Sequence, residues 1–379
     1  MIKSKLICIL LLISILFTFT GCSTSSGTDS YYFIVSLGID KTDDGNLKIS
    51  VQIPSTSESS DSGGSSQSSS ANIYSVEART IDEGFTILDN YLNKRINLSH
   101  CSALVVSEEI AREGLKTFIY TLSNNTELRH SCELIVSSDS AYNVLEKIAN
   151  SGESFSSRLF DYLKTCSDCT GLTISTTFGD FFESLHNESI QPIAIYTVVS
   201  DETVQTSGIA LFRNEFMISH VDSIDTIAHS ICINKLNGTT ITLENPFDKD
   251  SYVDLDIELY KDTKVSVNII NNSPYITIDV HPKGSIRSSG SVFNYINNEN
   301  IKKLENATDI YISNIIKDYV YRLTKEYNTD VIGFKSVCQS QYLTEDEFEK
   351  VHWDEIFQDS FFDVTVDTEI NSSNLFNKE

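Results

Sequence analysis

Positive charge is scarce in this 379-residue sequence: 28 Lys and Arg stand against 53 Asp and Glu, a formal net charge of -25. A deficit of that size argues against a nucleic-acid partner and against docking on anionic lipid through a broadly basic face. Much of the acidity simply keeps an exported chain soluble. Catalytic signatures are missing too, with no G-x-S-x-G, Walker phosphate loop, dinucleotide fingerprint or H-E-x-x-H anywhere in the chain. Asp254 and Asp256 alternate on the polar side of a strand pattern, where a solvated face explains them better than a catalytic dyad. His220 and His229 share a region with Asp222, and a charged surface cluster accounts for them equally well. The expectation is a chain that is not an enzyme and needs no cofactor.

Metal-ligating patterns are equally thin. Cys166 and Cys169 form "CSDC", but no second C-x-x-C completes a four-thiolate zinc site. His100 with Cys101, and His130 with Cys132, open consecutive predicted strands and could lie side by side; they read as ordinary strand residues. Once Cys22 is set aside for the reason below, six cysteines remain in the mature chain: Cys101, Cys132, Cys166, Cys169, Cys232 and Cys338. Even parity permits disulfides without requiring them.

One long apolar run is present, and it lies at the N-terminus. Lys3 and Lys5 precede "LICILLLISILFTFT", which matches the core of a secretory signal and falls short of the ~20 residues that span a membrane comfortably. The run stops at Gly21 and Cys22 and gives way to "STSSGTDS". A glycine before the cysteine and a hydrophobic residue, Phe19, three places before it mark Cys22 as the lipidated first residue of a bacterial lipoprotein. A plain signal peptide or an uncleaved anchor helix are the alternatives, and the polar tether without a positive flank favours lipidation. Residues 1–21 are then the signal and 22–30 the tether. Two or more acyl chains anchor a protein stably where one does not.

The rest reads as an α+β chain of more than one domain. "YYFIVSLGIDKTDDGNLKISVQI" predicts two strands around Asp44-Gly45. Pro54 to Ser70 is Ser-rich, holds no aliphatic or aromatic residue, and reads as a flexible loop inside the domain. "NIYSVEA" resumes a strand. Thr80 and Glu83 form a capping box before a helix with Ile81, Phe85, Leu88 and Leu92 on one face. "CSALVVS", a helix from Ser107 carrying Ile110, Leu115, Phe118 and Leu122, and "CELIVSS" predict a parallel strand pair. A helix through Ala141, Val144, Leu145 and Ile148, short helices at Leu159 to Leu163 and Phe178 to Leu185, and the strand "QPIAIYTVVS" complete an N-terminal domain over 31–200, a mixed sheet with helices.

A second architecture is expected from near Ser207, over 205–379, with a further division near 245. "SGIALFRNEFMISHV" predicts a strand pair turned at Asn214, followed by a helix from Asp222 to about Leu236. Alternation at Val253, Leu255, Ile257 and Leu259, at Val265, Val267 and Ile269, and at Ile276, Ile278 and Val280 predicts three half-buried antiparallel strands. A helix of about 45 Å, at ~1.5 Å per residue, runs from Asn298 to Tyr327 with Ile301, Leu304, Tyr311, Ile315, Val320, Leu323 and Tyr327 as its stripe. A capping box at Thr344 and Glu347 and the strand "FFDVTVDTEI" close the chain.

The leader with Cys22, "VSLGID", "INLSHCSALVVSEEIAREGL", "SGIALFRNEFMI", "TKEYNTDVIGF" and "HWDEIF" occur in an order that resembles the C-subunit lipoproteins of spore germinant receptors, the GerAC-like family. The likeness covers essentially the whole mature chain. Two departures stand out: the Trp-Asp that often follows the lipidated cysteine is missing, and the family's late-helix glutamine has no match at Thr324 to Glu326. The resemblance implies a non-enzymatic subunit anchored by lipid at Cys22 to the outer face of the spore inner membrane. It implies integral-membrane partners, the A-type and B-type receptor subunits, and a role in nutrient sensing and the triggering of germination. The alternative from another class is the solute-binding lipoprotein of an ABC importer, which predicts two similar α/β lobes around a cleft. No compact polar cluster in the sequence reads as a ligand site.

Overall fold

The computed structural model describes residues 30–54, 71–150, 171–200, 203–290 and 297–371. The leader, Cys22, residues 55–70 of the Ser-rich stretch, the short helix expected at Leu159 to Leu163, and Cys166 with Cys169 lie outside them.

Thr42 to Asn46 close the first hairpin: the Gly45 N–H donates to the Thr42 carbonyl at 2.8 Å, and Gly45 takes φ +80°, which glycine adopts without strain. The flanking strands β2 (Ser36–Lys41) and β3 (Leu47–Pro54) pair antiparallel as expected. Strand β4 (Ala71–Ala78) pairs with β3 from Pro54↔Ala71 to Leu47↔Ala78, so the Ser-rich stretch joins two neighbouring strands of one sheet. Strands β6 (Ala103–Ser107) and β7 (Glu133–Ser137) form the predicted parallel pair. A short strand β1 (Tyr31–Phe33), not foreseen as separate, pairs parallel with β5 (Arg95–Asn97).

Helix α1 (Ile81–Leu92) starts at Thr80, whose Oγ1 accepts the Glu83 N–H at 3.2 Å. The capping box is not closed as expected: the Glu83 carboxylate accepts the Arg79 N–H at 2.8 Å and the Arg79 guanidinium instead. The helix expected from Ser107 is two pieces, α2 (Glu108–Glu113) and α3 (Lys116–Ser123), because Gly114 at φ +114° breaks the helical path between them. These helices and α5 (Phe178–His186) cover one sheet face around Leu37, Ile49, Leu104 and Leu134. Helix α4 (Ala141–Asn150) covers the other, burying Ala141, Val144, Leu145 and Ile148 against Ala103, Val105, Ile135 and Ile195.

Two residues of "VSLGID" seat α4. A Cβ on Gly38 would meet Leu145 Cδ1 at 3.0 Å and Ala141 Cβ at 3.3 Å, so only a glycine lets the helix approach this closely. Asp40 is buried, and its carboxylate accepts the Ala141 and Tyr142 N–H groups at 2.5 and 2.9 Å, satisfying donors that the first helical turn leaves open.

The strand pair that begins near Ser207 joins the first sheet. Strand β8 (Ile193–Val199) is followed by β9 (Val204–Arg213) and β10 (Phe216–Val221), turned at Asn214 with φ +54°. Because β9 pairs antiparallel with β8, this hairpin extends the first sheet to the order β10-β9-β8-β7-β6-β2-β3-β4. Only after Val221 does the chain leave it. Helix α6 (Ser223–Cys232), capped by Asp222, is shorter than expected because the next turn passes through Asn234 at φ +59°.

The second sheet is built on β12 (Tyr252–Ile270) and β13 (Ser273–Ser289), joined at Asn271-Asn272, both left-handed as a two-residue hairpin turn requires. Two of the three predicted alternations are therefore one strand. The charged Lys261 to Lys264 stretch, which looks like a turn in sequence, is absorbed as register shifts within the ladder. Strand β11 (Thr239–Glu244), absent from the sequence reading, adds antiparallel to β12. The closing strand is split into β14 (Phe361–Val366) and β15 (Glu369–Asn371), both parallel to β13.

Helix α7 (Asn298–Tyr321), continued by a π-helical turn Arg322–Tyr327, covers this sheet. Leu304, Ile312, Ile316 and Val320 pack with Val253, Leu255, Ile276 and Ile278, each buried aliphatic contributing about 1.5–3 kcal/mol. Ile301, Tyr311, Ile315 and Tyr327 of the expected stripe lie at its half-buried margin.

Candidate functional site at the junction of the two sheets

Three of the runs that carry the resemblance meet in space. The β9–β10 turn of "SGIALFRNEFMI" meets "EYNTDVIGF" where the Arg213 guanidinium donates to the Tyr327 carbonyl and Thr329 Oγ1 donates to the Phe212 carbonyl at 2.6 Å. Gln191, just before β8, bridges both: its N–H donates to the Asp330 carbonyl at 2.9 Å, and its side-chain oxygen accepts the Asn214 N–H at 2.6 Å. Helices α8 (Phe334–Gln339), α9 (Glu345–Glu349) and α10 (Trp353–Ile356) complete the region. "HWDEIF" reaches it through Asp354, which pairs with Lys335 at 3.4 Å, and through Phe357, whose ring lies 6.5 Å from Phe334 and 5.6 Å from Trp353.

Asp330 anchors this junction. Its carboxylate accepts the N–H groups of Gly333, Phe334 and Lys335 at 2.8, 3.0 and 2.6 Å, so it caps α8 while its own carbonyl holds the first domain. Burial pushes its pKa up to about 6 against the pull of those N–H groups. Nothing in the search for catalytic patterns drew attention to it, although an Asp three residues before Gly333 and a short helix is a capping signal in its own right.

Beside it, α6 and α7 share a buried polar pair of contacts. Asp225 pairs with Arg322, and one helical turn along the Tyr319 hydroxyl is 2.9 Å from His229 Nδ1. Burial raises Asp225 to about 6 and lowers His229 to about 3, so His229 is neutral at any physiological pH. The surface-cluster reading of His229 is thereby corrected: it is fully enclosed between helices, and its Nε2 and Asp225 Oδ2 have no partner among the described residues. His220 is exposed and stacks on Tyr196, ring centroids 4.1 Å apart. Asp222 serves as the cap of α6.

The remaining sequence candidates are placed individually. Asp254 accepts from Thr242 and Ser288, and Asp256 from Thr240 and Arg287, in a cross-strand ladder on the open face of the second sheet. Cys101 and Cys132 do lie side by side, buried, with sulfurs 3.9 Å apart, while His100 packs on Phe33 and His130 near Phe178. Among the described residues no group of three or more His, Cys, Asp or Glu is arranged to hold a metal ion, and no helix is long and apolar enough to cross a membrane.

Two open grooves flank the junction. One of about 610 Å³ is lined by Glu188, Lys335, Glu345, Glu349, His352 and Trp353; the other, about 340 Å³, includes Gln191, Arg213, Asn214 and Asn328. Both are rich in charged and amide side chains and shallow, which suits a protein surface contact better than enclosure of an apolar molecule.

Comparison with known proteins decides the family. Residues 28–199 match the family described as spore germination protein N-terminal domain, and residues 207–374 match the one described as spore germination B3/GerAC like, C-terminal. The chain belongs to the GerAC-like spore germination family. Its similarity to spore germination protein KC of Bacillus subtilis (strain 168) is 22% identity over 100% of this chain and 98% of that protein. Spore germination protein GerQC of Bacillus cereus is 20% identical over 80% of this chain and 83% of its own length. The crystal structure of the GerBC protein shares the fold, with TM-score 0.58 at 18% identity, covering 88% of this chain and 96% of that one. The GerAC-like C-terminal match begins at 207, inside β9, so the family's two halves are sewn together by one continuous sheet.

Proposed function

We propose that the chain is the lipid-anchored C-type subunit of a spore germinant receptor, supporting nutrient sensing and the triggering of germination with integral-membrane A-type and B-type subunits. The observation that carries this reading is the pair of family matches, which together span the folded body from 28 to 374. The leader ending at Cys22 stands eight residues before Ser30, where the body begins, so one acylated cysteine supplies the membrane anchor. The body works without catalysis, and the buried polar groups Asp40, Asp225, His229 and Asp330 serve as caps and helix-to-helix contacts. A solute-binding role is disfavoured by the unlike halves, one built on a mixed eight-stranded sheet and the other on a five-stranded sheet under the long helix α7. The junction grooves are the surface offered to the receptor partners.

The test is Cys22→Ala with residues 1–21 replaced by a leader that is cleaved without lipidation, expressed in cells lacking the other subunits. The variant should fold, resist proteolysis as the wild type does, and move to the soluble fraction; continued membrane association would overturn the anchoring role. Recovery of the wild type from spore inner membrane with no integral-membrane receptor subunit attached would overturn the partnership.

A further inference from the structure

The first described residues lie beside a small patch of cations and aromatic rings. Tyr31 of β1 lies opposite Arg95 of β5, and the Lys94 ammonium sits 4.8 Å from the Tyr32 ring. Next to them the last two turns of α1 expose Ile87 and Tyr91, 38% and 69% accessible, one helical turn apart on the same face. Ser30, Tyr31, Asn90, Asn93, Lys94 and Arg95 line a shallow concavity of about 480 Å³, which Asp89 also borders while its Oδ1 accepts the Ile96 N–H. Neither Lys94 nor Arg95 forms an ion pair with a carboxylate among the described residues.

We infer that this face, formed by β1, the C-terminal end of α1 and the turn into β5, lies against the phosphate-bearing headgroups of the membrane and sets the orientation of the tethered body. The inference rests on the reading of Cys22 as the lipid anchor. Ser30 is eight steps along the chain from Cys22, and at ~3.3–3.6 Å each these hold it within about 30 Å of the lipid. The chain's formal net charge of -25 gives it a net repulsion from an anionic leaflet. The cations Lys94 and Arg95, with no carboxylate partner among the described residues, turn that repulsion into an orienting torque. Tyr31 and Tyr91 are the amphipathic ring type that settles at a headgroup boundary, and Ile87 adds the apolar component. Binding through this patch alone is too weak to anchor the chain; it selects a face once lipid has brought the chain to the surface.

Tryptophan fluorescence on vesicles tests it, since the chain has a single Trp, Trp353, which is buried. Tyr91→Trp and, on the second sheet, Tyr252→Trp at a 60% exposed position are prepared in two forms. One is the full chain recovered with its native lipid; in the other a histidine tag replaces residues 1–22 and binds nickel-chelating lipid. On vesicles of anionic and brominated phospholipid, Tyr91→Trp should be quenched severalfold more than Tyr252→Trp in both forms. Adding Lys94→Glu and Arg95→Glu, or raising the salt, should erase the difference. Equal quenching at the two positions on the chelating lipid, or a difference indifferent to the charge reversals, would overturn the orientation. If the histidine-tethered form shows the difference while the native chain is absent from membranes, the orientation stands and the lipidation of Cys22 falls.

Discussion

Replacing Asp330 with alanine should destabilise the body most at acid pH, because two effects compete at this carboxylate. Three backbone donors lose their acceptor, the N–H groups of Gly333, Phe334 and Lys335. A buried donor left unsatisfied costs about 1–3 kcal/mol, so the three together cost roughly 3–6 kcal/mol after relaxation. Against this, ionising a buried acid is unfavourable, and Asp330 is raised from 3.8 to about 6. A group with a raised folded-state pKa contributes its full stability below the unfolded value and loses it as pH rises through the folded one. At about 1.4 kcal/mol per unit, the wild type surrenders roughly 3 kcal/mol of this group's contribution between pH 4 and pH 7, and the alanine variant surrenders none. The measured difference between the two proteins should therefore shrink by roughly 2 kcal/mol on going from pH 4.5 to pH 7, the remainder of the loss lying outside that window. Urea unfolding of both bodies at the two pH values reads it directly. A difference that grows toward neutrality would show that the N–H groups outweigh burial and that Asp330 is held ionised.

Gly208→Ala should yield little folded protein, because its Cβ would stand 1.9 Å from the Val221 carbonyl at φ +90°, whereas Gly45→Ala, with nothing near and φ +80°, should cost only about 1 kcal/mol. Thermal melts of the two variants separate crowding from backbone strain. Tyr319→Phe removes the hydroxyl 2.9 Å from His229 Nδ1 and leaves both imidazole nitrogens without partners, a loss of about 1–3 kcal/mol that chemical denaturation should register. Deleting Glu58 to Gln67 should leave the melting temperature nearly unchanged, since these residues join β3 to β4 and closure entropy varies slowly with length; a large fall would make the stretch a structural element.

Sequence period located most elements because the information is local. Gly and Asp at 44–45, the stripe beginning at Ile301 and the alternation at Ile276, Ile278 and Val280 each report the geometry of a few neighbouring residues. The candidate junction was less legible. "SGIALFRNEFMI", "TDVIGF" and "HWDEIF" are far apart in the chain, and no local pattern says that Arg213 reaches Tyr327 or that Asp354 reaches Lys335. His229 looked like a surface residue because a histidine beside Asp225 and Asp222 has a polar context, and only the packing of α7 over α6 encloses it.

By itself the sequence determined the class of the protein: an α+β body with no catalytic signature and with family motifs in series. What only the tertiary structure decided was partnership between distant segments. That β9 and β10 extend the first sheet, that two alternations are one strand bent by bulges at Lys261, and that β14 and β15 run parallel to β13 all depend on which strand edge lies free when each segment arrives. A strand's pattern states which face it buries. It does not state which backbone it will hydrogen-bond, because every strand offers the same donors and acceptors and the choice is made by the packing of helices on the sheet faces.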